Sequence, residues 1–174
     1  MRPFRTRGPL ADPEALIRHV YAYAAYRLGD AHDAEDLTSE VFERALRYQR
    51  TYDPAKGEPV AWLLGIARRC ADDALARRGR ELPEQAETWD GRSLEDDTVR
   101  RLTLRSALAQ LSDRDRELIA LRYGGDLTAA QIGSVLDAQP NAVEVALHRA
   151  LARLRHILES EEAEPARTSS AGRL

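Results

Sequence analysis

Apolar residues recur every three to four positions through the first half of the chain, which is the spacing that places side chains on one face of a helix. The pattern predicts three helices, over residues 12–28, 33–48 and 58–78. Asp12 is a suitable cap for the start of the first helix and Gly29 a suitable stop. No segment alternates with the period of two that a half-buried strand requires, so the predicted fold class is all-α. The predicted inner stripes are Leu16, Val20, Ala24 and Leu28; Leu37, Val41 and Ala45; and Val60, Leu63, Leu64, Ala67, Ala71 and Ala74.

The periodic pattern lapses over residues 81–98, where Pro83, Gly91 and a run of carboxylates interrupt any apolar face. This stretch is predicted to be a flexible acidic linker between two small helical domains, at residues 10–80 and 99–158. Residues 159–174 are polar and lack helix caps, which predicts a disordered tail.

The second domain contains two short predicted helices, over residues 128–136 and 141–158, joined by a tight turn. Thr128 followed by Gln131 fits the reciprocal capping pattern at a helix start. The spacing is that of a helix-turn-helix, whose second helix enters the major groove in DNA-binding proteins, although a helical hairpin that only packs has the same spacing. The outward positions of the second helix are Asn141, Glu144, Val145, His148, Arg149 and Arg153.

Charge is distributed unevenly, although the net charge is only -3, from 26 basic and 29 acidic residues. Carboxylates crowd the start of the second predicted helix and arginines crowd the end of the third. Ordinary helix-dipole stabilisation or a solvated ion-pair face would also produce these clusters.

The composition argues against several other classes of protein. A single cysteine, Cys70, excludes an internal disulfide and a thiolate-rich metal site, and no glycine-rich phosphate loop or metal-ligand spacing is present. We therefore expect no catalytic residues, no metal and no cofactor. No apolar run is long enough to span a membrane, which predicts a cytoplasmic protein without membrane insertion.

Three motifs are spaced along the chain: Asp33-Ala34-Glu35-Asp36-Leu37, Tyr52-Asp53-Pro54 to Arg68, and Leu111-Ser112 to Leu154-Arg155. Together they resemble the sigma-70 family of bacterial RNA polymerase factors, and specifically the small extracytoplasmic-function (ECF) type. Asp33-Ala34-Glu35-Asp36-Leu37 with Glu40-Val41-Phe42 is similar to the family's polymerase-docking segment. Tyr52-Asp53-Pro54 to Gly57, then Ala61-Trp62-Leu63 and Ile66-Ala67-Arg68, resembles the part that melts the minus-ten promoter element. The segment from Leu111-Ser112 to Leu154-Arg155 is similar to the domain that binds the minus-thirty-five element. The motifs occur in the family's order over about residues 10–158.

The resemblance implies two helical domains, a region 2-like bundle and a region 4-like helix-turn-helix, in a factor that directs promoter recognition, DNA melting and transcription initiation. It implies the β and β′ subunits of core RNA polymerase and promoter DNA as partners, and many relatives also have an inhibitory anti-sigma factor. The linker carboxylates Glu84, Glu87 and Asp90 would stand in for phosphates in a nucleic-acid cleft. The implied core-polymerase-binding residues are Asp33, Glu35, Asp36, Glu40 and Phe42. The implied minus-ten DNA-binding residues are Asp53, Lys56, Trp62, Arg68, Arg69, Asp73, Arg77 and Arg78. The implied minus-thirty-five DNA-binding residues are Thr128, Asn141, Glu144, Val145, His148, Arg149 and Arg153.

The sequence departs from the family pattern most clearly in the predicted reading helix. The family's usual threonine, lysine, serine and arginine appear as Ala142, Glu144, Val145 and Ala146. Arg69 and Ser39 replace a common asparagine and glutamine, and Asp137 stands where the turn usually has glycine. We therefore expect weak binding to the minus-thirty-five element.

Two alternatives to a working sigma factor stay open at this point. One is a stand-alone helix-turn-helix transcriptional regulator, which would leave the first domain unexplained. The other is a sigma-like polymerase-binding protein with degraded promoter reading. The sequence does not identify the promoter, the inducing signal or an anti-sigma factor.

Overall fold

Helices account for the regular structure of the described residues, which are 8–79 and 95–168 in the computed structural model, with side chains described for 8–79 and 99–161. The chain forms α1 (Pro13–Leu28), α2 (Ala31–Tyr48), a short 3₁₀ turn (Gln49–Thr51) and α3 (Pro59–Arg78). After the gap it forms α4 (Glu95–Ala109), α5 (Asp113–Ile119), a π-helical turn (Ala120–Gly124), α6 (Ala129–Leu136) and α7 (Pro140–Thr168). No strand occurs in the described ranges, which confirms the all-α prediction.

The predicted caps and stops mostly form as expected. The Asp12 carboxylate accepts a hydrogen bond from the Ala15 amide at 3.2 Å, and Gly29 ends α1 in the left-handed region at φ 74°. At the start of α6, the Thr128 hydroxyl accepts from the Gln131 amide while the Gln131 side chain accepts from the Thr128 amide. This reciprocal capping box confirms the pattern predicted there.

Two predicted boundaries are wrong. α4 begins at Glu95, so the last residues of the predicted linker, 95–98, are helical, and residues 81–94 lie outside the described part of the chain. α7 continues to Thr168 instead of ending near Leu158, so helix replaces the predicted disordered tail over residues 159–168. Glu and Ala are good helix formers, and five of the six residues 159–164 (ESEEAE) are of these two types, so helix propensity favours continuation past Leu158.

Helices α1, α2 and α3 pack against one another through the apolar stripes that the sequence predicts. Val20, Val41 and Leu63 are fully buried, and Leu16, Ala24, Leu28, Leu37, Ala45, Leu64, Ala67 and Ala71 belong to the same cluster. Val60 is only partly buried at its edge. We call α1–α3 the N-terminal unit and α4–α7 the C-terminal unit.

The main core crosses from one unit to the other. Leu118, Leu121, Leu127, Ile132 and Val143 of the C-terminal unit lie in the same buried cluster as the α1, α2 and α3 residues. A second, smaller core lies within the C-terminal unit, where α4 and α5 pack against α7 through Leu108, Leu111, Ile119 and Ala150. The two units are therefore in direct apolar contact in this conformation.

Candidate nucleic-acid interface and acidic surface

The first turns of α2 form an acidic surface in which some carboxylates face solvent and others are paired. Glu35 and Asp36 are exposed, and His32 lies 3.7 Å from Asp36 one turn away. Asp33 instead forms an ion pair with Arg78 at the end of α3. Glu35 and Asp36 are thus the members of the predicted polymerase-docking set that project from the surface.

Farther along α2, Glu40 is held within the N-terminal unit. Its carboxylate accepts a hydrogen bond of 2.5 Å from Arg44, which also lies 3.5 Å from Asp73 of α3. Phe42 is half-buried and packs against the core. Two residues predicted for different partners, Glu40 and Asp73, are therefore connected through Arg44, which the sequence did not single out.

The arginines of α3 differ in how strongly they are held. Arg69 and Arg77 are exposed, whereas Arg78 contacts Asp33 and donates to the Leu28 carbonyl at 3.3 Å. Arg68 is half-buried, and its Nε is fully buried without a hydrogen-bond partner. The Glu117 carboxylate of the C-terminal unit lies 3.9 Å from that Nε.

The loop before α3 is ordered by its own polar groups and by an aromatic contact. The rings of Tyr52 and Trp62 meet edge to face, with centroids 5.6 Å apart. The Tyr52 hydroxyl donates to the Gly57 carbonyl at 3.0 Å, and the Asp53 carboxylate accepts from the Ala55 amide at 3.0 Å. The predicted site residue Lys56 is exposed on this loop, and Trp62 is half-buried against the core.

Helices α6 and α7 form the predicted helix-turn-helix. The turn between them passes through Asp137, which adopts the left-handed conformation at φ 53°. Aspartate tolerates this conformation better than most residues other than glycine. Gly133 permits the turn to close, because a Cβ there would lie 2.5 Å from the Ala138 carbonyl oxygen. The Thr128 side chain is engaged in the capping box at the start of α6.

The outward face of α7 is exposed as predicted, with one residue held differently. Asn141, Glu144, Val145, His148 and Arg149 are all exposed in the first turns of the helix. Arg153 makes two hydrogen bonds, of 2.7 and 2.8 Å, to the buried carboxylate of Asp115 on α5. These bonds hold the pKa of Asp115 below its usual value, against the opposing effect of its burial.

A set of polar groups at the contact between the units, in which Tyr23, Arg27 and Glu117 are buried and the others are partly or fully exposed, was missed by the sequence analysis. We call it the charge cluster; its members are Tyr23, Arg27, Arg68, Asp72, Asp113 and Glu117. Arg27 is only 1% exposed and donates from Nε to Glu117 at 2.7 Å and from its two terminal nitrogens to Asp113 at 2.5 and 2.8 Å. Tyr23 donates to the other Glu117 oxygen at 3.0 Å, and Arg27 also lies 3.4 Å from Asp72.

The charge cluster shifts the titration of its members. Burial raises the pKa of Glu117 above its usual value even though Arg27 opposes the shift. The hydrogen bonds from Arg27 lower the pKa of Asp113. Burial and then the negative charge of Glu117 raise the pKa of Tyr23. Burial by itself would lower the pKa of Arg27, but its bonds to Asp113 and the charge of Glu117 more than reverse this, so Arg27 stays a cation.

One signal in the sequence could have found this cluster. Arg27 occurs seven residues after Val20 and four after Tyr23, so it lies on the inner stripe of α1. A cation on a buried helix face requires a carboxylate partner, and Asp113 and Glu117 are spaced four residues apart on α5.

Three further features of the described ranges concern metal-ligand clusters, reactive cysteines and membrane-spanning helices. Within residues 8–79 and 95–168, no group of three histidine, cysteine or acidic side chains is placed to hold a metal ion. Cys70 is buried, and burial raises the pKa of its thiol to about 11. None of the described helices combines the length and the apolar character needed to cross a bilayer.

Two sigma-70 family models match the chain, one over each of the two helical units. Residues 14–81 match "Sigma-70 region 2" and residues 101–154 match "Sigma-70, region 4".

Curated relatives narrow the family. The chain is 32% identical over 152 residues to the ECF RNA polymerase sigma factor SigK of Mycobacterium ulcerans, which covers 81% of this chain and 80% of SigK. It is 34% identical over 147 residues to the ECF RNA polymerase sigma factor BldN of Streptomyces coelicolor, covering 80% of this chain but only 56% of BldN. The chain belongs to the ECF RNA polymerase sigma factor family.

Solved structures share the fold. The sigma factor RpoE, crystallised with the anti-sigma factor NepR from Bartonella quintana, matches with a TM-score of 0.68 at 20% identity, over 83% of this chain and 92% of that one. CnrH, in complex with the cytosolic domain of CnrY, matches with a TM-score of 0.59 at 21% identity, over 84% of this chain and 81% of that one. At 20% and 21% identity, these two matches show a shared fold only.

Proposed function

We propose that this chain is a sigma factor that binds core RNA polymerase, recognises promoter DNA and directs transcription initiation without catalysing a reaction itself. The observation that carries the proposal is the coexistence of an acidic surface on α2 and a helix-turn-helix in one chain of the ECF family. A stand-alone regulator would have no use for the first of these surfaces.

The acidic surface supports a polymerase contact because its outermost carboxylates face solvent and do not connect α2 to α3. Glu35 and Asp36 are exposed, whereas Asp33 and Glu40 are tied to Arg78 and Arg44. We assign direct contact with a basic surface of the polymerase to Glu35 and Asp36, with Phe42 at the apolar edge. Charge complementarity of this kind mainly sets the orientation and rate of association. Asp33 connects α2 directly to α3, and Glu40 does so only through Arg44, which contacts Asp73 of α3.

The DNA contacts are assigned to exposed cations on two separate helices. Arg69 and Arg77 of α3 and Lys56 of the preceding loop are available for the minus-ten element, and Tyr52 with Trp62 offers an aromatic platform for an unpaired base. His148 and Arg149 of α7 are available for phosphates near the minus-thirty-five element. Arg153, predicted for the same role, is instead proposed to position α7 through Asp115.

Reversal of charge on α2 tests the polymerase contact. Asp36→Lys in the full chain should reduce co-purification with core RNA polymerase at least tenfold, because it places a cation against a basic partner. Glu43→Lys is the matched control, since Glu43 is exposed on α2 but is not in the predicted docking set. Undiminished polymerase association of the Asp36→Lys variant would refute the assignment.

A second candidate function is a polymerase-binding protein with little promoter reading. Its support is the composition of the exposed face of α7, where an acidic residue, Glu144, is followed by the 45%-exposed apolar Val145. Run-off transcription from genomic fragments with reconstituted polymerase separates the two candidates. Defined start sites support a sigma factor, and polymerase binding without start sites supports the alternative.

A further inference from the structure

Helices α2 and α3 border a surface cleft of about 310 Å³ whose lining is mostly charged. Glu40 and Arg44 line it from α2, and Asp73, Ala76 and Arg77 line it from α3. Two carboxylates and two guanidinium groups therefore share one small space. The cation with which the carboxylates pair is held in the cleft, and the other cation stays available for a partner.

Arg44 holds both carboxylates in this structure. One of its terminal nitrogens donates to Glu40 at 2.5 Å and lies 3.5 Å from Asp73. A guanidinium presents several N–H donors in one rigid plane, which allows a single side chain to serve two carboxylates. The Arg44 side chain is only one-third exposed, whereas Asp73 is mostly exposed. Arg44 thus reaches the two carboxylates from the less accessible side of the cleft.

Arg77 lines the same cleft but is exposed, and no ion pair joins it to another of the described residues. Asp73 precedes it by four positions on α3, which is the spacing at which an aspartate and a following arginine pair on a helix surface. Asp73 contacts Arg44 of the neighbouring helix instead. Arg69 also lies four positions from Asp73, but it does not line the cleft, and an arginine that precedes its aspartate is in the less favourable order. Arg77 is therefore the cation that an unpaired Asp73 would take.

We propose that Arg44 is a positioning residue for promoter binding, which occupies Glu40 and Asp73 and so keeps Arg77 free to contact a DNA phosphate. The inference rests on the proposed function, in which Arg77 contacts the minus-ten element. It gives Asp73 a role other than the DNA contact expected from the sequence, because an exposed carboxylate repels phosphates unless a cation neutralises it. Without Arg44, Asp73 pairs with Arg77 and the phosphate contact is weakened.

The effect on DNA is measured with holoenzyme reconstituted from core polymerase and the full chain. Binding to a promoter fragment already opened over the minus-ten element is followed at several salt concentrations. The slope of the logarithm of the binding constant against the logarithm of the salt concentration reports the number of phosphate contacts. Arg44→Met should weaken binding several-fold and reduce this slope by about one. Arg44→Lys, which keeps the charge, should retain most of the parent slope.

A control variant matches the loss of charge. Arg18→Met also removes an exposed guanidinium and leaves a carboxylate, Glu14, unpaired, but it does so on α1. It should leave the slope at the parent value. A slope for Arg44→Met that equals the parent slope, or an equal decrease in Arg18→Met, overturns the proposal.

A second substitution separates positioning from a purely structural role. Asp73→Asn removes the carboxylate with which Arg77 would pair. Added to Arg44→Met, it should return the binding constant and the slope towards the parent values. In the parent background its effect should be smaller, because Arg44 already holds Asp73 there. A role in stability alone predicts no such recovery, and equal effects of Asp73→Asn in the two backgrounds contradict the proposal.

The free chain offers a readout that needs neither polymerase nor promoter. Nitrogen-15 relaxation of the Arg77 Nε–H group reports how freely the guanidinium moves. The group should be mobile in the parent, become more ordered in Arg44→Met, and regain its mobility when Asp73→Asn is added. Equal order in the parent and in Arg44→Met overturns the proposal. Absence of promoter binding by every version of the holoenzyme contradicts the proposed function, while the relaxation measurement still decides whether Arg44 keeps Arg77 free.

Discussion

Asp115 shows how a single side chain in this protein differs from what its sequence position suggests. As the third residue after Ser112 it fits a helix-capping pattern, and the Ser112 hydroxyl does accept a hydrogen bond from its amide at 3.2 Å. Its carboxylate, however, turns away from that cap and binds Arg153 of α7. One residue thus begins α5 with its backbone and fixes α7 with its side chain.

We predict that Asp115→Asn lowers the melting temperature at neutral pH by several degrees, because Arg153 loses a carboxylate partner. The folded pKa of Asp115 is lower than its usual value of 3.8, so its stabilising effect is present above that value. The effect is lost as the pH falls through the lower, folded value. The difference in melting temperature between parent and variant should therefore shrink towards zero in strong acid.

Circular dichroism melts from pH 2 to pH 8 measure this dependence. Glu43→Gln, at an exposed position in the middle of α2, is the control and should change the melting temperature little at any pH. A difference for Asp115→Asn that is independent of pH would mean that the ionised carboxylate is not what stabilises the protein.

At the scale of elements, the turn between α6 and α7 depends on the absence of one side chain. Alanine inside a helix is normally more stable than glycine by up to about 1 kcal/mol. At Gly133 the added methyl group would meet the Ala138 carbonyl oxygen at 2.5 Å, and this oxygen belongs to backbone that cannot rotate away. Steric conflict should therefore outweigh helix propensity.

We predict that Gly133→Ala destabilises the chain by about 1 to 3 kcal/mol, the range for an overpacked site. Urea unfolding followed by circular dichroism measures this. Ser134→Ala at the next, exposed position of α6 should be close to neutral or slightly stabilising. Stabilisation by Gly133→Ala would show that α6 and α7 are not joined as closely as described.

The reading helix allows a second prediction at this scale. Its exposed N-terminal face presents Glu144 and Val145, so specific contacts with bases should contribute little and phosphate contacts should dominate. Arg149→Ala should therefore weaken binding of the full chain to all duplex sequences by a similar factor. It should also reduce, by about one, the slope of the logarithm of the binding constant against the logarithm of the salt concentration. Loss of binding to one sequence only would instead identify Arg149 as a base-reading residue.

At the scale of the whole molecule, the shared core predicts a single cooperative unfolding transition. Leu121 belongs to the C-terminal unit but is fully buried in the cluster that contains Val20 and Leu64 of the N-terminal unit. Leu121→Ala should lower the free energy of unfolding by about 2 to 5 kcal/mol. It should also speed amide hydrogen exchange in both units together. Hydrogen exchange of the two units, compared with Leu46→Ala at a 58%-exposed position, measures this. Loss of protection confined to α4–α7 would show that the units unfold independently.

The sequence by itself determined the helices, the inner stripes and the local caps, because periodicity, capping and turn conformation depend on residues a few positions apart. Thr128 with Gln131, and Asp137 in the left-handed region, are examples that the structure confirms. It also indicated that α2 carries an acidic surface and that α7 turns its charged residues outward.

Only the tertiary structure decided how the charged residues are divided between the surface and the interior. Arg27 and Glu117 are ninety positions apart; the place of Arg27 on a buried stripe indicates that it needs a carboxylate, but no local pattern indicates that Glu117 is the partner at 2.7 Å. The same holds for Asp33 with Arg78 and for Asp115 with Arg153. The physical reason is that an ion pair depends on distance in space, and that distance is set by the packing of apolar faces between helices far apart in the chain.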